Sequence, residues 1–385
     1  MHIEFAEMRH QDPKTKTYLG SPNLVRLSDG ALLATHDYFG PGSPHSSENE
    51  EFLASVYRSE DSGKTWQCIT HLAGVFWSSL FVHREDIYLL GTNQAWGSIV
   101  IRRSSDGGFS WTHPSDHENG LLCKGGFYHD APNYHGAPVP VVHANGRIYR
   151  AFEDLAPWEW GPGFHAFVLS ADENADLLKA ASWTMSNQVP LKPEWLPDWG
   201  KKFENTHQNV SRPGWLEGNV VKGPDGQLYN ILRFNAEPFN DKAALLHLSP
   251  DGTRLEARPD FLFIDMPGGC HKFTIRRDPK SGKYLTLSNH NTVPRFTWQR
   301  NNLSLSASKD LRDWKPCSIV WSDGERTATE ESLLKVGYQY VDWIFDGDDI
   351  IGLVRVADGE APNFHDSNRI VFIRIKNYSE LLPHD

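Results

Sequence analysis

Short runs of alternating apolar and polar residues, each broken by a tight-turn signal, dominate the chain. From Ser21 the stretch NLVRLSDGALLATHDYF predicts strand, Asp29-Gly30 turn and strand, and EFLASVYRSEDSGKTWQCI predicts two more strands around a turn. The same unit follows in LFVHREDIYLLG and SIVIRRSSDGGFSWT. Hairpin signals recur at Asp29-Gly30, Glu85-Asp86, Asn145-Gly146, Asp225-Gly226, Ser281-Gly282 and Asp346-Gly347. That makes six units at intervals of about 55 to 80 residues, each long enough for four short strands, and such a period predicts a radial all-β repeat. The last unit, YQYVDWIFDGDDIIGLVRV with NRIVFIRIKNY, supplies three strands, while HIEFAEM at the start is unassigned. The N-terminal strand is therefore expected to close the ring, which protects the sheet edges.

A second repeat lies between the third and fourth strands of a unit. Ser59, Asp61, Gly63, Thr65 and Trp66 share one pattern with Ser104, Asp106, Gly108, Ser110 and Trp111, and weaker copies occur at Ser170/Asp172, Ser249/Asp251 and Ser308/Asp310. Asp and Ser bond to local backbone, Gly supplies an unusual φ, and Trp packs under the turn. This resembles the Asp-box of sialidase-like β-propellers, a folding motif rather than a catalytic one.

Composition agrees with many short strands. The 385 residues hold 14 Trp, 20 Phe, 12 Tyr, 31 Gly and 24 Pro, and no long helical period appears. One propeller domain is expected over residues 1–385, with 191–212 (LKPEWLPDWGKKFENTHQNVSR) as a long inserted loop and candidate cleft wall. The net charge of −11 argues against a nucleic-acid surface, and an anionic ligand would need locally placed Arg or Lys. No apolar run approaches a membrane span. The N-terminus MHIEFAEMRHQ lacks a signal-peptide pattern, leaving a cytoplasmic protein or an exported one with its leader removed. Cys68, Cys123, Cys270 and Cys317 show no zinc-like spacing and are expected to be buried free thiols, with two bridges open if the protein is exported.

The stretch from Tyr128 to Asp154 passes from a polar loop into a hairpin, setting His129, Tyr134 and His135 at its mouth. Together with SPNLVRLSDGALLATHDYFG, GWLEGNVVKGPDGQLYNILR, PGGCHKFTIRRD, YQYVDWIFDGDDI and APNFHDSNRI, the block YHGAPVPVVHANGRIYRAFED resembles the propellers that include L-rhamnose-α-1,4-D-glucuronate lyases, relatives of ulvan lyases. The resemblance runs nearly end to end and implies seven blades, against six by hairpin count. It implies β-elimination at C4 of a uronate in arabinogalactan-type glycans, releasing terminal rhamnose. Such chemistry needs a carboxylate clamp, a base and an acid.

The resemblance places the proton-transfer histidine at His135, which matches the family block. Arg233, in NILRF, is the candidate clamp, because an arginine in an apolar strand is costly unless paired. Related lyases carry a Tyr sixteen residues before such an Arg, where this chain has Glu217. The acid is then Tyr134 or Glu217, with Glu217 equally open as a structural partner of Arg233. His36 matches a position assigned in one branch to glycosidase chemistry on the opposite face. Asn219, His271, Lys272, Tyr340, Asp342 and Trp343 are candidates to line the central cleft, and Trp96 and Trp215 to stack on sugars. His129 has no role by this comparison.

The alternative is an exo-glycoside hydrolase, sialidase-like or an α-L-rhamnosidase, on the same fold. A sialidase is expected to show an Arg-Ile-Pro motif, an arginine triad and a Tyr paired with Glu; the first is absent and no triad is evident. A pair among Asp37, Glu153, Asp154, Glu217 and Asp342 also suits a carboxylate-based hydrolase. A non-catalytic carbohydrate-binding propeller is the third option. The expected ligand is an acidic oligosaccharide or polysaccharide, and the protein a monomer or small homo-oligomer. No cofactor is required; a structural calcium in the central channel, held by backbone carbonyls and carboxylates such as Asp342, stays open.

Overall fold

All six hairpin signals join the first two strands of successive antiparallel sheets. A computed structural model describes residues 2–43, 52–127, 129–198, 212–235, 241–294 and 296–383. Among them the chain forms a single six-bladed β-propeller, with blades numbered here in chain order. Their second strands are Leu32–Phe39, Asp86–Thr92, Arg147–Leu155, Leu228–Asn235, Tyr284–Ser288 and Asp349–Ala357. The hairpin count holds, and the seven blades implied by the resemblance are corrected to six.

Blade 6 takes its fourth strand from the other end of the chain. Ile3–His10 pairs antiparallel with Arg369–Ile375, closing the ring as expected. The Asp-boxes sit between third and fourth strands. In the first, Asp61 accepts from the Thr65 amide (2.9 Å) and hydroxyl (2.7 Å), Ser59 Oγ accepts from the Gly63 amide (2.9 Å), and Trp66 Nε1 donates to Gly63 O (3.0 Å). Gly63 has φ +92°, and a Cβ there would strike the Phe372 ring at 2.3 Å. The second box repeats these contacts, with Trp111 Nε1 donating to Gly108 O at 2.8 Å.

The core lies between neighbouring blades. Leu305 and Leu287 of blade 5 pack with Trp343, Val354 and Ile373 of blade 6, and Tyr149 and Val168 of blade 3 with Leu232, Phe234 and Leu246 of blade 4. Each fully buried side chain contributes about 1.5–3 kcal/mol. Trp343 and Trp215, candidates for the cleft, are both 0% exposed in this core.

A ring of side-chain-to-backbone hydrogen bonds ties the inner edges together. Asn23 accepts from Leu80 N, Ser79 Oγ donates to Val139 O (2.7 Å), Glu153 accepts from Gly218 N (3.2 Å), Asn219 Oδ1 accepts from Ile275 N (3.0 Å), Thr274 Oγ1 donates to Val341 O (2.8 Å), and Asp342 Oδ2 accepts from Leu24 N (2.9 Å). These six links run from blade 1 round to blade 1 again. Asn219 and Asp342 therefore hold blades together rather than present free groups to the cleft. The Asp342 carboxylate also takes Arg276 (3.1 Å), and among the described residues no cluster of three or more His, Cys, Asp or Glu could hold a metal ion.

The four cysteines are unpaired. Cys270 is buried, Cys123 and Cys317 are half-buried, and Cys68 is exposed, contrary to its expected burial. Residues 199–211 of the inserted loop lie outside the described residues; its first part forms a short turn, Pro193–Trp195, that lays Trp195 against Trp215. No helix is long and apolar enough to cross a membrane.

Candidate functional site

The inner strands of alternate blades carry a β-bulge, with pairing shifted between Phe76 and Ser79 in blade 2, Leu216 and Asn219 in blade 4, and Gln339 and Asp342 in blade 6. Within each bulge one large residue takes a left-handed backbone: Trp77 (φ 47°), Glu217 (φ 56°) and Tyr340 (φ 53°). Such non-glycine residues cost about 1–3 kcal/mol each and cluster at functional sites. Here the bulges bring Glu217 and Tyr340 together.

Tyr340 Oη donates to Glu217 Oε1 at 3.0 Å, and Arg233 Nη1 donates to Glu217 Oε2 at 3.0 Å and approaches Tyr340 Oη at 3.4 Å. Two more arginines flank the phenol. The guanidinium carbons of Arg355 and Arg300 lie 4.8 and 5.8 Å from the Tyr340 ring centre. Arg355 is held by Ser367 Oγ (2.8 Å) and His365 O, Arg300 by Gln339 Oε1, and Arg233 Nε by Cys270 O (2.8 Å). Glu217 and the three arginines are buried, whereas Tyr340 is half-buried and opens toward solvent.

Three guanidiniums surround Tyr340, with Glu217 paired to Arg233 and the Asp37 and Asp366 carboxylates acting on Arg355. Burial pushes the Glu217 carboxyl up, but Arg233, His135 and the Tyr340 hydrogen bond outweigh it and leave it lowered. Glu217 is thus ionised at neutral pH. Burial and the Glu217 charge raise the Tyr340 phenol despite the arginines. Burial pulls Arg300 down to about 10, and it lowers Arg355 as well.

His271 completes the wall. It is 1% exposed, and burial together with Arg300 and Arg233 holds it well below its ordinary pKa against the opposing pull of the Gln299 backbone. Lys272 is lowered to about 8, chiefly by burial, and donates to Thr274 Oγ1 and Val341 O (both 2.8 Å). It props the blade 6 bulge from below.

His135 stands one step back from this group. Its Nδ1 is 3.0 Å from Glu153 Oε2, and the other Glu153 oxygen accepts from Gly218 N, next to Glu217. Trp77 (4.4 Å), Trp96 (5.0 Å, stacked) and Phe164 (5.1 Å) enclose its ring, leaving it 3% exposed. Tyr134 points the other way, as strand alternation requires, and packs on Phe167 in the core. His36 is buried against Tyr38 and Tyr57, bonded to Asp37 O (3.1 Å) and Tyr57 Oη (3.3 Å), and is not brought to the cluster. Asp37 accepts from Ser21 N and Trp77 N (both 2.9 Å), and burial pushes it up to about 6.

Sequence reasoning thus found Arg233 but missed Arg300 and Arg355, which join it around Tyr340. Arg355 gave the same signal as Arg233, an arginine inside an apolar strand (IIGLVRVA). That signal is not specific: Arg150, in RIYRAF, is spent on Ser79 Oγ, Trp77 O and Ala137 O. Arg300 lies just before a strand, in a stretch without motif.

No family model matches the chain, and no curated protein does. Solved structures do. The chain is similar to an α-L-arabinanase of Penicillium chrysogenum (14% identity, 98% of this chain and 99% of that one, TM-score 0.59) and to the α-L-arabinofuranosidase Arb93A of Fusarium graminearum (13%, 98% and 99%, TM-score 0.60). It is also similar to the Trypanosoma rangeli sialidase, at 14% identity over 99% of this chain and 60% of that one, with a TM-score of 0.62. At such identities the likeness shows the fold alone, a single β-propeller.

Proposed function

We propose that the protein is a carbohydrate-active enzyme, and within that class an exo-glycoside hydrolase acting on a terminal sugar that carries a carboxylate on its anomeric carbon, as sialic acids do. The observation that carries this reading is Tyr340 hydrogen-bonded to ionised Glu217 inside three arginines from blades 4, 5 and 6. The arginines receive the sugar carboxylate, with a bidentate fork available from this residue type. A carboxylate nucleophile would be repelled by the substrate's own carboxylate; a phenol is not. Tyr340 Oη attacks the anomeric carbon while its proton passes to Glu217, the glycosidic bond breaks, and the leaving oxygen takes a proton. Water then forms the new bond to that carbon, the phenolate departs and recovers the proton from Glu217, and water's own proton restores the acid. Asp37, at about 6 and in the field of Arg355, has the pKa suited to that acid.

Support also comes from the solved propellers named above, which are glycan-processing enzymes. The uronate lyase suggested by the sequence resemblance would use the same arginines and Tyr340. Hydrolysis is favoured because His135, the expected proton-transfer group, is only 3% exposed, its ring enclosed by Trp77, Trp96 and Phe164. Incubation with a panel of sialosides and uronate-capped glycans tests the proposal. It predicts a free acidic sugar; an ultraviolet-absorbing unsaturated uronate instead would select elimination.

A further inference from the structure

We infer that Trp158 and Trp160 form a stacking subsite for the neutral sugar rings of a glycan on the leaving-group side of the cleavage point. The side assignment rests on the function proposed above; the subsite itself does not. These are the two exposed tryptophans among the described residues, at 45% and 43%. Both lie on the connection between Arg147–Leu155 and Phe164–Asp172 of blade 3. Large aromatic faces left in water in this way mark binding surfaces when they adjoin a site.

They do adjoin it. Trp96 touches Trp158 edge-on (5.1 Å, 74°) and Trp160 edge-on (6.3 Å, 89°), and its opposite contact is the stack on His135. The aromatic path therefore runs from open surface through Trp96 to His135, then through Glu153 to the Glu217 bulge. His129, left without a role by sequence comparison, lies 3.8 Å from Trp158 and fixes its ring. Glu159 and Arg212 pair with each other beside the shelf, a polar edge suited to sugar hydroxyls.

Charge decides the occupant. The cationic cradle belongs to blades 4 to 6, while the shelf belongs to blades 2 and 3, on the other side of Glu217. The shelf's nearby arginine is already neutralised by Glu159, and the indole faces are electron-rich, so an anionic ring gains nothing there. Neutral hexose or pentose rings, with apolar C–H faces, fit. The acidic terminal sugar then sits over blades 4 to 6 and the neutral chain extends across blades 2 and 3.

An array of neutral galacto-, arabino- and N-acetyllactosamine oligosaccharides, none of which carries a carboxylate to be processed, tests this directly. Wild type is expected to retain at least one series, the W158A/W160A variant to bind it roughly tenfold or more weakly, and W158F/W160F to keep most of the binding. Circular dichroism of the variants controls for folding. Absence of neutral-glycan binding, or equal binding by wild type and W158A/W160A, overturns the inference. So does a dimer-to-monomer change on sedimentation of W158A/W160A, which would make the shelf a protein contact. Because binding rather than turnover is read, failure here leaves the Tyr340 nucleophile untouched, and the reverse holds.

Discussion

Tyr340 and Glu217 meet across two blades, phenol oxygen 3.0 Å from carboxylate oxygen, and each does so from a left-handed bulge that its residue type disfavours. The two strained positions are fixed from behind. Glu153 holds Gly218 N beside Glu217, and Lys272 and Thr274 hold Val341 O beside Tyr340. A purely structural ring could place a glycine at either bulge at lower cost. The strain is what aims a phenol and a carboxylate at each other in the open end of the channel.

Replacing Tyr340 by Phe removes the oxygen that forms the proposed bond. Turnover on a cleavable sialoside is expected to fall about 10³-fold or more, with folding stability lowered by about 1–3 kcal/mol from the lost hydrogen bonds to Glu217 and Arg233. Steady-state kinetics and urea unfolding of the same preparation check both halves. Loss of fold with partial activity would assign Tyr340 to structure.

Arg233→Ala leaves Glu217 buried without its partner, at a cost of about 3–5 kcal/mol. The pH dependence also changes sign. In the wild type the lowered Glu217 stabilises the fold above its unfolded pKa near 4.5 and ceases to as pH falls through the folded value. In the variant burial is no longer countered by Arg233, so the folded pKa moves up and the charged form becomes the burden as pH rises. Urea midpoints at pH 4 and 7 are expected to favour pH 7 in the wild type, with that preference reduced or reversed in the variant.

His36 is buried and neutral, lowered from 6.5 to about 4 chiefly by burial. Its contribution to stability is present above 6.5 and drains away as pH falls toward 4, about 3 kcal/mol in all. His36→Gln keeps hydrogen-bonding capacity without the titration. The variant is expected to lose less stability than wild type between pH 7 and 4.5 and to keep its KM, since His36 lies away from the arginine cluster.

Asn219→Ala separates a structural link from a binding role. It strands the amide of Ile275 between blades 4 and 5, and unfolding free energy is expected to drop by about 1–3 kcal/mol. KM for the acidic glycan should stay near the wild-type value. A large rise in KM at unchanged stability would return Asn219 to the substrate.

Turn chemistry made the fold legible. Asn-Gly and Asp-Gly hairpins and Asp-boxes act within a few residues, so six blades and the N-terminal closure could be read from local pattern, while the seventh blade came only from resemblance. Arg233 was visible as an arginine in an apolar strand, and Glu217 through the spacing that the resemblance supplied; the two lie in one hairpin, where Leu216 and Arg233 are cross-strand neighbours. Tyr340, Arg300 and Arg355 come from other blades and meet Glu217 only through the curvature of the ring. Within Tyr134-His135 and His36-Asp37, strand alternation sends one side chain inward and the other into the core; the sequence names the pair but not which member faces the channel.

The proposed hydrolysis requires Tyr340 to become covalently attached to the sugar. Incubation with 2,3-difluorosialic acid followed by peptide mass spectrometry reads this directly, because fluoride leaves from C2 as the Tyr340 bond forms and the fluorine retained at C3 slows the second half of the reaction. One sugar adduct on the peptide containing Tyr340, absent in Tyr340→Phe, is predicted. An unmodified protein that converts a uronate-capped glycan to an unsaturated product would contradict the account.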